Sequence, residues 1–320
     1  MFINERDYAK VMTRIAEPYL KSRRVSGKIE RKEGKELYCD FYSSEDPRGV
    51  LILSHGFSES VEKYYEMIYY FLQNGYHVFA ADHCGHGRSY RLTSDPCMIH
   101  VDNYQRYVAD LLFIAEAAKN EYPKLPLYLY AHSMGGGIGA CALSKRPDLF
   151  RKAVLSSPMI CPKTGSVPWP VTVAIVNITN LIGKSKDYVF GQKPFEDNET
   201  FEDSAATSEA RFEYYSKKRS QTPEYQTSGA SFGWMKQAIR MRGYLLGDGW
   251  ISIETPTLLF QAENDDFVRN DAQSSFADKI NDISPGLIEV IPVPGAKHEI
   301  YNSSDATLKE YLTQIIKFFK

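Results

Sequence analysis

The sequence has few cysteines, and their number and spacing do not suggest a disulfide framework. Five cysteines occur among 320 residues, which is an odd number, and no two of them form a CxxC pair. Secreted domains that depend on disulfides are richer in cysteine, and metal or redox motifs use closely spaced pairs. We therefore expect free thiols, a reducing compartment and a cytoplasmic location.

The sequence also lacks a long apolar run and an excess of one charge. The first residues, up to Arg24, are charged throughout and contain no signal-peptide core, and the apolar stretch Val167–Ile182 is broken by Pro168, Pro170 and Asn177. A membrane-spanning helix needs roughly 20 mainly apolar residues, so none is predicted. With 38 basic and 40 acidic residues, no positive excess is available to neutralise phosphates, which argues against nucleic acid as a partner.

What the sequence does contain is a recurring order of short apolar runs, turns and helix-like segments. Short, continuously apolar runs are typical of strands buried on both faces, and their alternation with helices predicts an α/β fold with a mainly parallel sheet flanked by helices. The predicted strands are Val50–Ser54, His77–Ala81, Leu127–Ala131, Lys152–Ser156, Thr257–Gln261 and Leu287–Ile291. The predicted helices are Lys63–Asn74, Asn103–Asn120, Met134–Lys145 and Asp271–Asn281. Before them, Val25–Arg31 and Glu36–Tyr42 predict a hairpin around Gly34.

The alternation stops between about Cys161 and Gly249, in a stretch rich in proline, aromatic and charged residues. Only Glu209–Lys218 and Gly233–Arg242 have helical character there. Open α/β sheets bind ligands beyond the carboxyl ends of their strands, and this insertion follows such an end. We therefore predict a core of residues 1–160 and 250–320 and a mostly helical cap, or lid, of residues 161–249. A surface subdomain without a role at the site is the alternative.

A predicted strand runs directly into His132-Ser133-Met134-Gly135-Gly136, and a predicted helix follows. Strand, sharp turn and helix are the setting of a nucleophile elbow, in which small residues on both sides of the serine allow a tight turn. Ser133 is therefore the predicted nucleophile, and the Met134 N–H at the start of the helix is a predicted oxyanion donor. Two weaker interpretations of these glycines are a dinucleotide-binding turn and simple packing of a helix on a strand.

A second loop and two later loops supply the partners that a serine nucleophile needs. His55-Gly56-Phe57 follows a strand, so the Phe57 N–H is predicted to be the second oxyanion donor, with His55 shaping the loop. Asp265 and Asp266 follow another strand, and His298 follows the next; we favour Asp265 as the acid that orients the base, His298. A serine becomes a good nucleophile only when a base removes its proton and an acid orients that base.

Several segments, spread over most of the chain, resemble the lysophospholipase L2 and monoacylglycerol lipase group of α/β-hydrolases. They are His55-Gly-Phe-Ser-Glu-Ser60, Asp82-His-Cys-Gly-His-Gly-Arg-Ser89, Ala131-His-Ser-Met-Gly-Gly136, Pro256-Thr-Leu-Leu-Phe-Gln-Ala262 and Gly295-Ala-Lys-His298. The first, third and fourth are most similar to bacterial lysophospholipase L2. The resemblance implies the α/β-hydrolase fold and a catalytic triad of Ser133, Asp265 and His298. Cys84 departs from the group, which often has arginine there. His83, Cys84 and His86 superficially suggest a metal site, but the group's loop explains them better.

These observations predict a serine carboxylic ester hydrolase that acts on a monoacyl lipid, with a lysophospholipid as the favoured substrate, through an acyl-enzyme and without a cofactor or metal. Trp169, Phe212 and Trp234 of the predicted cap are candidates for an acyl-chain pocket; their packing into the cap's own core is the alternative. The open alternatives in function are a monoacylglycerol lipase, a shorter-chain carboxylesterase, another ester or amide hydrolase, an acyltransferase and a non-catalytic binding protein. Transient contact with a membrane and the oligomeric state are left open.

Overall fold

A computed structural model describes residues 1–32 and 34–320 of the protein. Eight strands of these residues form one sheet in the order β1-β2-β4-β3-β5-β6-β7-β8, in which β1 and β2 are antiparallel and β3 to β8 run parallel. The strands are β1 Arg24–Lys32, β2 Lys35–Tyr42, β3 Gly49–Ser54, β4 Tyr76–Ala81, β5 Leu127–His132, β6 Lys152–Ser156, β7 Thr257–Asn264 and β8 Ile288–Lys297. The predicted mainly parallel sheet with an antiparallel hairpin at its edge is therefore confirmed.

Helices cover both faces of the sheet. They are α1 Tyr8–Val11, α2 Glu17–Lys21, α3 Tyr65–Gln73, α4 Gln105–Glu121, α5 Met134–Lys145, α6 Trp169–Leu181, α7 Glu209–Gln221, α8 Phe232–Leu246, α9 Asn270–Ile283 and α10 Asp305–Phe319. A π-helical segment, Met12–Ala16, joins α1 to α2. Short 3-10 turns occupy Glu5–Asp7, Val61–Tyr64, Pro223–Tyr225 and Ile300–Asn302.

The hydrophobic core lies in two layers because successive side chains of each strand point to opposite faces. On β3, Ile52 packs with α4, α5, α8 and α9, whereas Leu51 and Leu53 pack with the N-terminal helices, α3 and α10. On β5, Leu129 and Tyr130 divide in the same way. Strands that are apolar on both sides are therefore buried on both sides, which is why they appear as continuous apolar runs in the sequence.

The last strand, β8, extends further than the predicted Leu287–Ile291. It continues through Pro292 and Pro294 to Lys297, although proline has no backbone N–H for the sheet. The strand order explains this difference. β8 lies at the edge and pairs only with β7 among the described strands, so a missing donor on its outer side costs little.

The long insertion lies between β6 and β7 and contains α6, α7 and α8. One side of α8 belongs to the main core, because Trp234, Met241 and Leu245 are buried there and Tyr244 shares a hydrogen bond of 2.8 Å with Ser144 of α5. By contrast, α6 leaves much of its apolar surface exposed. Among the helices that the structure describes, none combines the length and the apolar character needed to cross a bilayer.

Arg211, on α7 of the insertion, connects distant parts of the chain. Its buried guanidinium donates to both carboxylate oxygens of Glu66 on α3, at 2.9 and 3.0 Å, and to Asp305 Oδ1 at 3.0 Å. It also donates to the carbonyl oxygens of Ile3, at 3.0 Å, and Ser303, at 3.2 Å. One side chain thus joins the insertion to the first residues, to α3 and to the segment that follows β8.

Candidate active site

Ser133 lies in a sharp turn between β5 and α5. Its φ of 53° and ψ of −119° are values that residues with a side chain rarely adopt. The turn is stabilised by hydrogen bonds from the Ser133 N–H to the Ser156 carbonyl, at 3.0 Å, and from the Met159 N–H to the Ser133 carbonyl, at 2.8 Å. This is the strained strand-to-helix geometry of a nucleophile elbow.

Gly135 makes the tight turn sterically acceptable. A Cβ atom at this position would lie 2.3 Å from the carbonyl oxygen of Ser54 and 2.5 Å from that of His55. Both contacts are with backbone atoms of the neighbouring loop, which cannot move aside as a flexible side chain could. The small residue that the sequence motif requires two positions after the serine is therefore explained by the close approach of the β3 loop.

The three side chains predicted as the triad lie in one line. His298 Nε2 is 2.7 Å from Ser133 Oγ, and His298 Nδ1 is 2.7 Å from Asp265 Oδ2. Ser133, His298 and Asp265 are 7%, 6% and 4% exposed. This geometry suits transfer of a proton from the hydroxyl to the imidazole, with the carboxylate positioned to stabilise the resulting imidazolium.

The surroundings of Asp265 keep its carboxyl ionised. Burial alone would raise the pKa, but the hydrogen bond and charge of His298 and two backbone donors outweigh it, so the pKa lies below its ordinary value. The donors are the N–H groups of Phe267 and Val268, each 2.9 Å from Oδ1. Asp266, the other aspartate considered from the sequence, is exposed, so Asp265 is the one that the loop turns towards the imidazole.

Two backbone N–H groups at the site have no acceptor among the described residues. They belong to Phe57, after β3, and Met134, the first residue of α5. The positive end of a helix dipole lies at Met134, and the first N–H groups of a helix have no partner within it. Both donors predicted from the sequence are thus available to a ligand oxygen.

Glu59 shapes the loop that carries Phe57. Its Oε2 accepts hydrogen bonds of 2.5 Å from the Gly56 N–H and from the Tyr64 hydroxyl, and its Oε1 accepts one of 2.7 Å from Tyr301. These donors and Lys63 nearby keep the pKa of the buried carboxyl well below its usual range, against the effect of burial. A buried carboxylate therefore fixes the backbone on the N-terminal side of Phe57.

His55 and the histidines of the Asp82–Ser89 loop have structural partners. His55 Nδ1 donates to the Gly56 carbonyl at 2.8 Å, and its Nε2 accepts from the His83 N–H at 2.9 Å. His83 Nε2 lies 3.0 Å from Ser54 Oγ. Within the described part of the chain, no group of three or more histidine, cysteine, aspartate or glutamate side chains is arranged to bind a metal ion.

A second histidine, His132, packs against the first. Its ring centroid is 4.8 Å from that of His298, and its Nδ1 donates to the Ser156 carbonyl at 3.1 Å. Burial lowers the pKa of His132 to about 4, although Glu59 Oε1, 3.8 Å from Nε2, favours the charged form. The proximity of a charged His298 would disfavour a second positive charge here, so His132 is neutral at pH 7.

The Ser133 hydroxyl opens on a cavity of about 270 Å³ that has two chemically different walls. One wall is apolar and is formed by Phe57, Met159, Val189, Ala230, Trp234 and Met235. The other carries charges and is formed by Glu59, Lys63, Glu199, Arg219 and Glu299, and Lys163 is a further charged residue of the cavity lining. A smaller recess, of about 40 Å³, extends from the charged wall and adds Phe195, Phe212 and Tyr215. An amphipathic ligand matches this division of the cavity.

The three aromatic residues predicted for the pocket have different positions. Trp234 lines the cavity, and its ring lies 4.5 Å from that of Phe57. Trp169, at the start of α6, is not among the described residues that line it; its ring lies under the Arg242 guanidinium, 4.8 Å away. Phe212 lines the recess and is not among the described residues of the main cavity wall; its ring centroid lies 6.0 Å from that of Phe201.

The charged wall was not predicted from the sequence. Lys63, Glu299 and Arg219 come from three separate parts of the chain, so no local pattern brings them together. The available signals were indirect: Lys63 stands four residues after Glu59, and Glu299 directly follows the predicted base. Each would otherwise be interpreted as an ordinary surface charge.

The chain is similar in sequence to several known proteins. Residues 45–305 match the family described as serine aminopeptidase, S33. Lysophospholipase L2 of Escherichia coli is 28% identical over 277 residues, covering 84% of this chain and 80% of that protein. Monoglyceride lipase of Rattus norvegicus is 34% identical over 129 residues, covering 40% of this chain and 41% of that one. The resemblance to the lysophospholipase L2 and monoacylglycerol lipase group is therefore confirmed.

A solved structure shows the same fold. The crystal structure of a soluble variant of monoglyceride lipase from Saccharomyces cerevisiae, in complex with a substrate analogue, has a TM-score of 0.71 to this chain at 18% identity. The match covers 92% of this chain and 94% of that one. The predicted α/β-hydrolase fold is confirmed by this likeness.

Proposed function

Because this chain belongs to the serine aminopeptidase S33 family and is a serine hydrolase, we propose that it hydrolyses the ester bond of a monoacyl lipid, with a lysophospholipid as the favoured substrate. The observation that carries the proposal is the line from Ser133 through His298 to Asp265, which opens on a cavity with one apolar and one charged wall. A single acyl chain with a polar end matches such a cavity. Relatives named lysophospholipase L2 and monoglyceride lipase support the same substrate class.

In the proposed mechanism, Ser133 is the nucleophile and His298 the base. Ser133 Oγ attacks the acyl carbonyl carbon while its proton passes to His298 Nε2, and Asp265 stabilises the imidazolium. The oxygen of the tetrahedral intermediate accepts from the N–H groups of Phe57 and Met134. One such donor contributes about 10²–10³-fold to the rate in a related kind of site.

The reaction then proceeds in two stages, collapse of the intermediate and hydrolysis of the acyl-enzyme. His298 gives its proton to the leaving alcohol oxygen, and the acyl group remains as an ester on Ser133. A water molecule transfers a proton to His298 and attacks this ester, and the fatty acid leaves as Ser133 Oγ recovers the proton. The 2.7 Å separation between His298 Nε2 and Ser133 Oγ supports both transfers.

Residues 161–249 are proposed to act as the cap, with residues 1–160 and 250–320 as the core. Support comes from the cavity walls, since Val189, Gln192, Arg219, Trp234 and Met235 all belong to this insertion. In this proposal Trp234 contacts the acyl chain. Trp169 and Phe212 are assigned no contact with it, because neither is among the described residues of the main cavity wall.

A monoacylglycerol is the second candidate substrate, and the relative named monoglyceride lipase favours it. The experiment is to measure fatty-acid release from a lysophosphatidylcholine and from a monoacylglycerol with the same acyl chain. Release that disappears in Ser133→Ala supports the proposal, and the substrate with the larger kcat/KM identifies the head group. Ser284→Ala is a matched control, because Ser284 caps the far end of α9, which leads away from the Asp265 loop.

Other outcomes would change the proposed function. Release of only short acyl chains would indicate a carboxylesterase, transfer of the acyl group to an added alcohol would indicate an acyltransferase, and cleavage of aminoacyl amides would follow the description of the family. If Ser133 does not react with a fluorophosphonate in the folded protein, the proposal of a serine nucleophile is refuted.

We also propose a cytoplasmic location with transient contact to a membrane surface. The free state of the five cysteines supports a reducing compartment. The exposed apolar side chains of Val171, Ile178 and Leu181 on α6 support contact with lipid. Cell fractionation tests the location, and recovery of the protein only from an oxidising compartment would contradict it. Binding to vesicles of phosphatidylcholine and phosphatidylglycerol tests the membrane contact, and no binding would contradict it.

A further inference from the structure

The oxyanion donor of Phe57 belongs to a stretch of backbone that is held by two side chains. A trans peptide unit is planar, so its N–H points away from its own carbonyl. The carbonyl of this unit, on Gly56, accepts the hydrogen bond of 2.8 Å from His55 Nδ1. The Gly56 N–H, one peptide unit earlier, donates to Glu59 Oε2 at 2.5 Å. Together, these two hydrogen bonds fix the direction of the Phe57 N–H.

Ser58, between Phe57 and Glu59, has a backbone conformation that residues with a side chain rarely adopt. Its φ of 58° lies in the left-handed region. Phe57 and Ser58 form a turn, and this turn brings the Glu59 side chain back to the N–H of Gly56, three residues earlier. Unfavourable backbone conformations persist where the surrounding contacts determine them. The hydrogen bonds of Glu59 are contacts of this kind.

Gly56 leaves the space that the carboxylate of Glu59 occupies. A Cβ atom at Gly56 would lie 2.7 Å from Glu59 Oε2 and 3.1 Å from His132 Cδ2. His132 directly precedes the nucleophile, Ser133. The oxyanion loop, the carboxylate and the segment before the nucleophile therefore meet at this glycine.

The same carboxylate also contacts the segment that carries the base. Its Oε1 accepts a hydrogen bond of 2.7 Å from the hydroxyl of Tyr301, three residues after His298. The Tyr301 ring stacks on that of Tyr64 at 4.7 Å, and the Tyr64 hydroxyl donates to Oε2. Lys63 Nζ lies 3.3 Å from Oε1. Because the side chain of Glu59 is only 4% exposed, water competes little for these contacts.

From these contacts we infer that Glu59 is a positioning residue, which sets the place of the Phe57 N–H relative to Ser133. It acts through the backbone of Gly56 and not through contact with the substrate. The oxyanion forms only when Ser133 attacks, so the effect of Glu59 falls on the transition state and on kcat, and not on substrate binding. The inference rests on the proposed ester hydrolysis and concerns its oxyanion hole.

Glu59 also belongs to the cavity lining, which allows a different role, contact with the leaving alcohol. The two roles differ in the second half of the reaction. The acyl-enzyme no longer contains the alcohol, so contact with the alcohol affects acylation alone, whereas an oxyanion forms in both acylation and deacylation. Separate measurement of the two steps therefore distinguishes the roles.

The test uses p-nitrophenyl butyrate, with acylation measured from the burst of p-nitrophenol and deacylation from the steady-state rate that follows. Glu59→Ala removes the acceptor of the Gly56 N–H, whereas the amide oxygen of Glu59→Gln can still accept from it. We expect Glu59→Ala to slow both steps by about 10²-fold, the lower end of the range for loss of one oxyanion donor. Glu59→Gln should restore most of both rates.

A transition-state analogue provides a second measurement. An alkyl trifluoromethyl ketone forms a tetrahedral adduct with the serine, and the corresponding secondary alcohol does not. Glu59→Ala should weaken inhibition by the ketone by about 10²-fold and leave inhibition by the alcohol nearly unchanged. Glu62→Ala is the matched control: Glu62 lies in the same short turn, pairs with Arg88 at 2.8 Å and is not among the described residues that line the cavity or its recess. It should change neither measurement.

Three results would overturn the inference. Both rates could stay within about threefold of wild type in folded Glu59→Ala. Slower acylation with unchanged deacylation would assign Glu59 to contact with the alcohol. Equal losses for the ketone and the alcohol would indicate a general disturbance of the cavity. If Glu59→Ala does not fold, Glu59→Asp replaces it, because the shorter side chain keeps the charge but does not reach the Gly56 N–H.

Failure of the proposed function gives a different result. If the wild-type protein cleaves p-nitrophenyl butyrate but no monoacyl lipid, the proposed substrate is wrong, and the measurements on Glu59 still decide the inference. If the wild-type protein forms no adduct with the ketone and cleaves no ester, both are refuted.

Discussion

The buried His132 beside His298 provides a test of the electrostatics of the site through stability. Its pKa is lowered from 6.5 to about 4 by burial, with the charge of His298 acting in the same direction. Between these two values the unfolded chain binds a proton that the folded protein does not. Stability contributed by neutral His132 is therefore present at neutral pH and is lost as the pH falls from 6.5 towards 4.

The size of the effect follows from the shift. Between roughly pH 7 and pH 5, the histidine of the unfolded chain takes up a proton, whereas folded His132, with a pKa of about 4, remains neutral. This difference lowers the free energy of unfolding by about 2 kcal/mol over that range. In His132→Asn the side chain does not titrate, and its amide is able to donate to the Ser156 carbonyl as the imidazole does. The variant should therefore lack this part of the pH dependence, whatever constant destabilisation it carries.

The measurement is urea unfolding of both proteins at several pH values between about 4 and 7. We expect the difference in the free energy of unfolding between wild type and His132→Asn to shift in favour of the variant by about 2 kcal/mol on going from pH 7 to pH 5. Comparing the two proteins cancels the contributions of the other histidines. A difference that stays constant over this range, or an NMR titration of His132 near pH 6.5 in the folded protein, would refute the reasoning.

Three further predictions concern the site and its support. Asp265→Asn should lower kcat by about 10³–10⁴-fold with little change in the unfolding midpoint, because an amide does not hold the base in the required tautomer; a kcat within tenfold of wild type would contradict the assignment. Gly135→Val should abolish fluorophosphonate labelling and destabilise the fold by about 1–3 kcal/mol, because the Cβ atom of the valine would clash with the Ser54 carbonyl oxygen; labelling at the wild-type level would show that the loop after β3 moves to avoid this clash. Arg211→Met should cost about 3–5 kcal/mol in urea unfolding by leaving the Glu66 carboxylate buried without its cationic partner; adding Glu66→Met should restore most of it, and equal instability of the single and double variants would contradict this cause.

Much of the sheet could be predicted from the sequence because its inner strands are apolar on both faces. A run such as Leu127–Ala131 is too short for a buried helix and suits a strand that is covered on both faces. The turns at the strand ends then bring Ser133, Asp265 and His298 to one edge, since the carboxyl ends of parallel strands meet there. The topology therefore brings the three side chains close together, and local loop contacts such as those of Asp265 orient them.

Other features depend on contacts between distant segments. The prolines of β8 argue against a strand until its position at the edge is known. The predicted elements do not include α10, although Leu308, Tyr311 and Ile315 have the apolar spacing of a helix. The aromatic residues of the insertion look equivalent in the sequence. Trp234 reaches the cavity and Trp169 does not because α8 packs against α5, which no local pattern encodes.

The position of Arg211 has a consequence for protein engineering. The insertion supplies about half of the residues that line the cavity, so exchanging it between homologues is an obvious route to new substrate preferences. Such a chimaera would inherit a buried Glu66 from the recipient, together with the carbonyl groups of Ile3 and Ser303. A donor segment without an arginine at the corresponding position would leave Glu66 without its cationic partner, although the Tyr70 hydroxyl still donates to it, and would remove a donor from both carbonyl groups. Compatibility of a graft therefore depends on one residue that lies outside the cavity lining.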